Sequence, residues 1–90
     1  NSKLKDVSLL GTEQRACIEL IRIAKVDPQL PGSYLIFQMP THANFANIIG
    51  SSRETVSRIF GKLKEEHIIT ISKRSLCILN RERLERLAFL

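Results

Sequence analysis

The sequence predicts a mainly α-helical domain with a small antiparallel β-hairpin, built from 90 residues as one domain. Three observations point there. Apolar residues recur at helical spacing in four separate stretches. Two of these are joined by a tight turn that opens on Gly50. Near the C-terminus, two β-prone runs, HIITIS and SLCIL, flank Lys73-Arg74.

The first ten residues, NSKLKDVSLL, are mixed in character and suit a helix tail or a linker. From Thr12 the pattern is helical. Cys17, Leu20, Ile21 and Ala24 fall at i, i+3, i+4 and i+7, and Ala16, Ile18 and Ile23 widen the stripe. A stripe this wide implies packing on two sides. Thr12 is the expected N-cap, with Glu13 suited to the positive end of the helix. DPQLPGS, residues 27 to 33, holds two prolines and a glycine and must be a loop. YLIFQ, residues 34 to 38, suits a strand.

Thr41 is an N-cap for a short helix through HANFANII, with Phe45, Ile48 and Ile49 at i, i+3 and i+4. Gly50 ends it. Ser52 then caps a helix from Arg53 to Glu66. Val56, Ile59, Phe60 and Leu63 form its inward stripe, and Glu54, Ser57, Arg58 and Gly61 form a second stripe rotated away from it, flanked by Arg53. Lys73-Arg74 offers neither Gly nor Asn for a two-residue hairpin, so a longer turn is expected. Asn80 caps a last helix, RERLERLAFL, with Leu84, Leu87 and Ala88 on one side. The order is that of a winged helix-turn-helix.

Hydrophobic content of 43% and charged content of 26% describe an ordinary globular protein. No apolar run approaches the roughly 20 residues of a membrane span, and no signal peptide pattern is present. The expected setting is the cytoplasm. Fourteen Lys and Arg against nine Asp and Glu give a net charge of +5, which favours a polyanionic partner. Cys17 and Cys77 lack metal-ligand spacing and suit two buried small hydrophobes in a reducing compartment. No nucleophile–base pair, metal cluster or Gly-rich phosphate loop appears, so an enzyme is not expected.

The second stripe of the Arg53 helix matches the chemistry of base edges. Arginine pairs bidentately with guanine, and glutamate accepts from the cytosine amino group. A recognition helix reads bases with its N-terminal residues, where Arg53, Glu54, Ser57 and Arg58 stand. Gly61, lacking a side chain, lets the helix lie close to the sugar-phosphate backbone. The ordinary alternative is a solvated face with Glu54 and Arg58 as an i, i+4 pair. Another alternative is a winged helix that meets an acidic protein and reads no DNA sequence.

The run THANFANIIGSSRETVSRIFGKL resembles the DNA-binding domain of the Crp/Fnr superfamily of bacterial transcription regulators. The resemblance extends from about Gly11 to Ala88, and its core is G-x-S-R-E-T-V-x-R, residues 50 to 58. It implies double-stranded DNA as partner and a homodimer in the full-length protein. It implies base contacts from Arg53, Glu54 and Arg58. Those three together look like the cyclic AMP receptor branch, with its TGTGA-type half-site. Ser57 and Gly61 look like the Fnr branch, in which the Ser57 position helps read a TTGAT-type half-site. The resemblance also implies phosphate contacts from Thr41, Ser52 and Thr55, and from Lys73 and Arg74 on the wing. After Thr41 the family commonly has Arg or a carboxylate and Gln, whereas this chain has His42, Ala43 and Asn44; His42 is the candidate phosphate contact there. The family pattern places a cyclic-nucleotide-type sensor and a dimerisation helix ahead of such a domain. Residues 1–10 would then be a hinge or the end of that helix, and residues 11–90 the DNA-binding domain. A cyclic nucleotide or other effector would bind the upstream part, and no cofactor is expected within these residues. The loop Asp27–Ser33 matches a surface through which some members touch RNA polymerase.

Overall fold

The structure, a computed structural model, describes residues 2–30 and 32–89, with side chains from Gly11 onward. Its elements are α1 (Ser2–Ile23), β1 (Lys25–Val26), β2 (Tyr34–Ile36), α2 (His42–Ile49), α3 (Arg53–Glu65), β3 (Ile69–Ser72), β4 (Ser75–Ile78) and α4 (Arg81–Phe89). Helices dominate and one small antiparallel sheet completes the fold, as expected of a winged helix-turn-helix.

The core lies where α1, α2, α3 and α4 meet one face of the sheet. Ala16, Cys17 and Leu20 of α1 are fully buried, and so are Phe45, Val56, Leu63, Leu76 and Leu84. Burying a side chain of this size contributes roughly 1.5–3 kcal/mol, so these residues outweigh any single surface contact. Burial of Cys17 pushes its thiol up to about 12, with the Glu13 carboxylate adding to the effect. Cys77 differs from its expectation. It is half-buried, because Leu76 and Ile78 take the inward positions of β4 and the strand alternation turns Cys77 the other way.

Four expectations need correction. First, Thr12 is not an N-cap, because α1 begins at Ser2 and passes straight through it. Thr12 lies buried in the helix interior, where its Oγ1 accepts from Arg15 Nη2 at 3.3 Å. Second, the sheet has four strands in the order β1-β2-β4-β3 and is more than a hairpin. Leu35 pairs with Lys25 on one side and Cys77 on the other. Strand β2 stops at Ile36, and Phe37 and Gln38 lie beyond it, Gln38 with a φ of 49°. Third, the β3–β4 turn is short. Ser72 pairs with Ser75, which leaves only Lys73 and Arg74 between them. Lys73 accepts a φ of 55°, in the left-handed region where a residue with a Cβ is strained. The Met39 N–H donates to the Arg74 carbonyl at 2.6 Å and ties this turn to the chain before α2. Fourth, α3 ends at Glu65, with Glu66 as its C-cap and His67 at a φ of 58°.

Candidate nucleic-acid interface

Four short-range devices build the α2–turn–α3 unit. The Thr41 Oγ1 accepts from the Asn44 N–H at 3.1 Å and opens α2. Gly50, at a φ of 70° that only glycine adopts without strain, closes it. The Ser51 N–H then donates to the Ala46 carbonyl at 2.8 Å. The Ser52 Oγ accepts from the Thr55 N–H at 3.2 Å and opens α3.

Packing sets the rotation of α3. Val56, Ile59, Phe60 and Leu63 are all buried, as the spacing predicts. Arg53, Glu54, Ser57, Arg58 and Gly61 are consequently all exposed. In α2 the buried side is Phe45, Ala46 and Ile49, while Ile48 stands 55% exposed, against expectation.

Long-range bonds anchor the unit to α1. Arg15 Nε donates to the Ile49 carbonyl at 2.9 Å, placing a cation on the negative end of α2. Lys62 Nζ lies 3.4 Å from Glu13 Oε1 and joins α3 to α1. Neither bond has a local signature, because the partners are 34 and 49 residues apart.

Charge is distributed unevenly. Arg22, Lys62, Arg81, Arg83 and Arg86 each face a carboxylate. Among the described residues, Arg53, Arg58, Lys73 and Arg74 have no ion pair and no side-chain hydrogen bond. The i, i+4 pair expected as the ordinary use of Glu54 and Arg58 does not form among the described residues. The outer side of α3 and the tip of the wing therefore carry cations that nothing in the described fold neutralises.

The expected phosphate-contact residues form two groups. Thr41, His42, Lys73 and Arg74 line one groove of about 520 Å³, walled by Phe60 and Ile71 between the wing and α2. Ser52 and Thr55 sit at the start of α3, their hydroxyls 2.9 Å apart. Thr55 and Arg58 border a second depression of about 150 Å³ against Glu13 of α1. Thr41 and Ser52 already accept from backbone N–H groups; the Thr41 hydroxyl keeps a proton to donate, and the bonded Ser52–Thr55 pair keeps one between them.

One pairing had no counterpart in the sequence reading. The Nδ1 of His42 lies 2.7 Å from the Oγ of Ser57, joining a candidate phosphate contact to a candidate base contact. Gly61 is informative in another way. A Cβ placed on it would meet nothing within 4 Å, so the fold itself does not require glycine there. Among the described residues no group of His, Cys, Asp and Glu could hold a metal ion, and no helix is long and apolar enough to cross a membrane.

The model of the Crp-like helix-turn-helix domain family matches residues 14–87. No curated protein matches the chain. Several solved structures do. The reduced Fe(II) CO-sensing protein of R. rubrum is 27% identical with a TM-score of 0.78, over 97% of this chain and 40% of that one. The catabolite activator protein of Thermus thermophilus is 29% identical with a TM-score of 0.66, over 97% of this chain and 38% of that one. A CRP/FNR-family transcriptional regulator, also from Thermus thermophilus, is 25% identical with a TM-score of 0.69, over 94% of this chain and 45% of that one. The chain spans less than half the length of each.

Proposed function

This chain belongs to the family of Crp-like helix-turn-helix domains, the DNA-binding part of transcription regulators, and we propose that it reads a palindromic site with α3 in the major groove. The observation that carries this reading is the outer side of α3. Arg53, Glu54, Ser57 and Arg58 are exposed together on its first two turns, and the two arginines and the glutamate have no partner among the described residues. Exposed arginines cost nothing to leave solvated, but they gain most from a bidentate acceptor such as guanine O6 and N7.

In this reading Arg53 and Arg58 each take a guanine, Glu54 takes a cytosine amino group, and Ser57 takes a further base edge. The half-site is TGTGA-like, since Arg53 supplies a guanine reader; a TTGAT-like half-site is the variant that Ser57 and Gly61 favour. Thr41, His42, Ser52, Thr55, Lys73 and Arg74 hold phosphates and set the register. Two copies lie in successive major grooves about 34 Å apart. Residues 1–10 would join the domain to a preceding dimerisation helix, through which a cyclic nucleotide or other effector acts. The Asp27–Ser33 loop, closed by the Asp27 N–H on the Ser33 carbonyl at 2.9 Å, is the surface offered to RNA polymerase.

Selection from random duplex DNA tests this at near-physiological salt, with the chain alone and joined to a dimerising coiled coil. The expected result is an enriched palindrome with TGTGA or TTGAT arms. Binding without enrichment that fades as salt rises overturns the reading, and leaves a winged helix that docks on a protein.

A further inference from the structure

His42 opens α2 and Ser57 stands in the second turn of α3, yet their side chains meet at 2.7 Å. Phe60 fixes the imidazole. Its ring stands at 84° to the His42 ring, with centroids 5.2 Å apart. Phe60 is itself buried and packs on Phe45 at 5.1 Å. A core aromatic thus holds the imidazole, and the imidazole holds the hydroxyl.

A serine hydroxyl has one proton and two lone pairs, and it rotates to suit its neighbours. Free on the outer side of a helix, it could donate to one base and accept from another, and so discriminate little. Bound to His42 it loses that freedom. An Nδ1 without a proton accepts from Ser57, and Ser57 then has only lone pairs to offer. An Nδ1 with a proton donates to Ser57, and the serine proton is released to point elsewhere. The two ring nitrogens are linked, because a neutral imidazole carries one proton between them. A phosphate oxygen only accepts, so a neutral His42 that touches phosphate must keep its proton on Nε2.

We propose that His42 is a positioning residue that sets the direction of the Ser57 hydroxyl, and thereby decides whether α3 offers an acceptor or a donor to the base beneath that turn. The proposal rests on the DNA-reading function proposed above. With His42 neutral and on phosphate, Ser57 is an acceptor and suits the amino groups of adenine N6 or cytosine N4. With a proton on Nδ1, Ser57 is a donor and suits guanine O6 or N7, adenine N7 or thymine O4. Base preference at one position of the site therefore follows which ring nitrogen of His42 carries the proton.

The test starts from the duplex that the chain enriches by selection. The position read by Ser57 is located as the one whose preference falls in Ser57→Ala. Binding to the four base pairs at that position is then measured for the wild-type chain and for His42→Ala. The wild-type chain should favour adenine or cytosine over guanine or thymine by roughly five- to tenfold. His42→Ala should bind every duplex more weakly, through the lost phosphate contact, and should lose that preference, because the Ser57 hydroxyl is then free to rotate. A wild-type preference for guanine or thymine overturns the proposal, as does an undiminished preference for adenine or cytosine in His42→Ala. A failure of the DNA-reading function itself looks different, since no duplex is then enriched.

Discussion

Helices α3 and α4 hold similar side chains and use them in opposite ways. All three arginines of α4 are matched. Arg81 reaches Glu85 at 3.4 Å and lies 4.0 Å over the Tyr34 ring, Arg83 reaches Glu66 at 2.9 Å, and Arg86 reaches Glu82 at 2.8 Å. Arg53 and Arg58 of α3 are unmatched among the described residues, although Glu54 lies between them in sequence. A paired arginine on a surface is electrically quiet and contributes little to stability. An unpaired one projects charge and donors outward, at no gain to the fold. Composition alone cannot separate the two, since both helices are basic and amphipathic.

The largest effects should follow from removing the unmatched arginines. Arg53→Ala and Arg58→Ala should each lose about 1–3 kcal/mol of discrimination at a single guanine. Nonspecific affinity should fall less, and the melting temperature should barely move, because neither side chain makes an ion pair or a hydrogen bond among the described residues. Binding to single-base variants of the selected duplex checks this. An equal loss on every sequence would reassign both residues to phosphates and remove the sharpest part of the comparison.

Lys73 extends the contrast to the wing. It is exposed, unpaired among the described residues, and held at a φ of 55° by the two-residue turn. Lys73→Ala should weaken binding to all duplexes alike and lower the slope of log affinity against log salt by about one. An unchanged slope takes the wing out of the interface.

Much of this contrast is legible in the sequence, because its causes are local. The caps of α2 and α3 are read from Thr41, Gly50 and Ser52, and the rotation of α3 from four apolar residues at helical spacing. What stayed hidden depends on partners distant in the chain. Lys25-Val26 forms a strand only because β2 lies beside it, and two exposed residues carry no alternation to announce it. Thr12 looks like a cap until the preceding residues prove helical. Ile48 fits the apolar spacing of α2 but loses its place inside to Ala46, since small side chains can pack where helices come close. The pairing of His42 with Ser57 needs both helices docked before it exists.

Gly61 separates the needs of the fold from those of the interface. Glycine within a helix costs roughly 1 kcal/mol relative to alanine, and here the space around its missing Cβ is empty. Gly61→Ala should therefore raise stability by about 0.5–1 kcal/mol in denaturant unfolding. The same substitution should reduce DNA affinity if α3 approaches the sugar-phosphate backbone at that turn. A gain in stability with no loss of binding would move the contact surface toward the N-terminal turns of α3.

The smallest effect belongs to Arg86. Its partner Glu82 lies one turn away on the same helix, and both side chains are well exposed. An i, i+4 pair in water is worth only about 0.3–0.5 kcal/mol, since solvent and salt screen the attraction and two flexible side chains must be ordered to form it. Arg86→Ala should thus change unfolding stability by no more than that, and leave half-site preference untouched. The variant removes one positive charge, as Arg58→Ala does, so the two are matched in net charge. If DNA binding responds to net charge alone, both should weaken it equally at low salt. If binding follows unmatched donors on α3, Arg86→Ala should leave the selected duplex bound as before while Arg58→Ala does not. Salt titration of the pair decides which account of the basic surface holds.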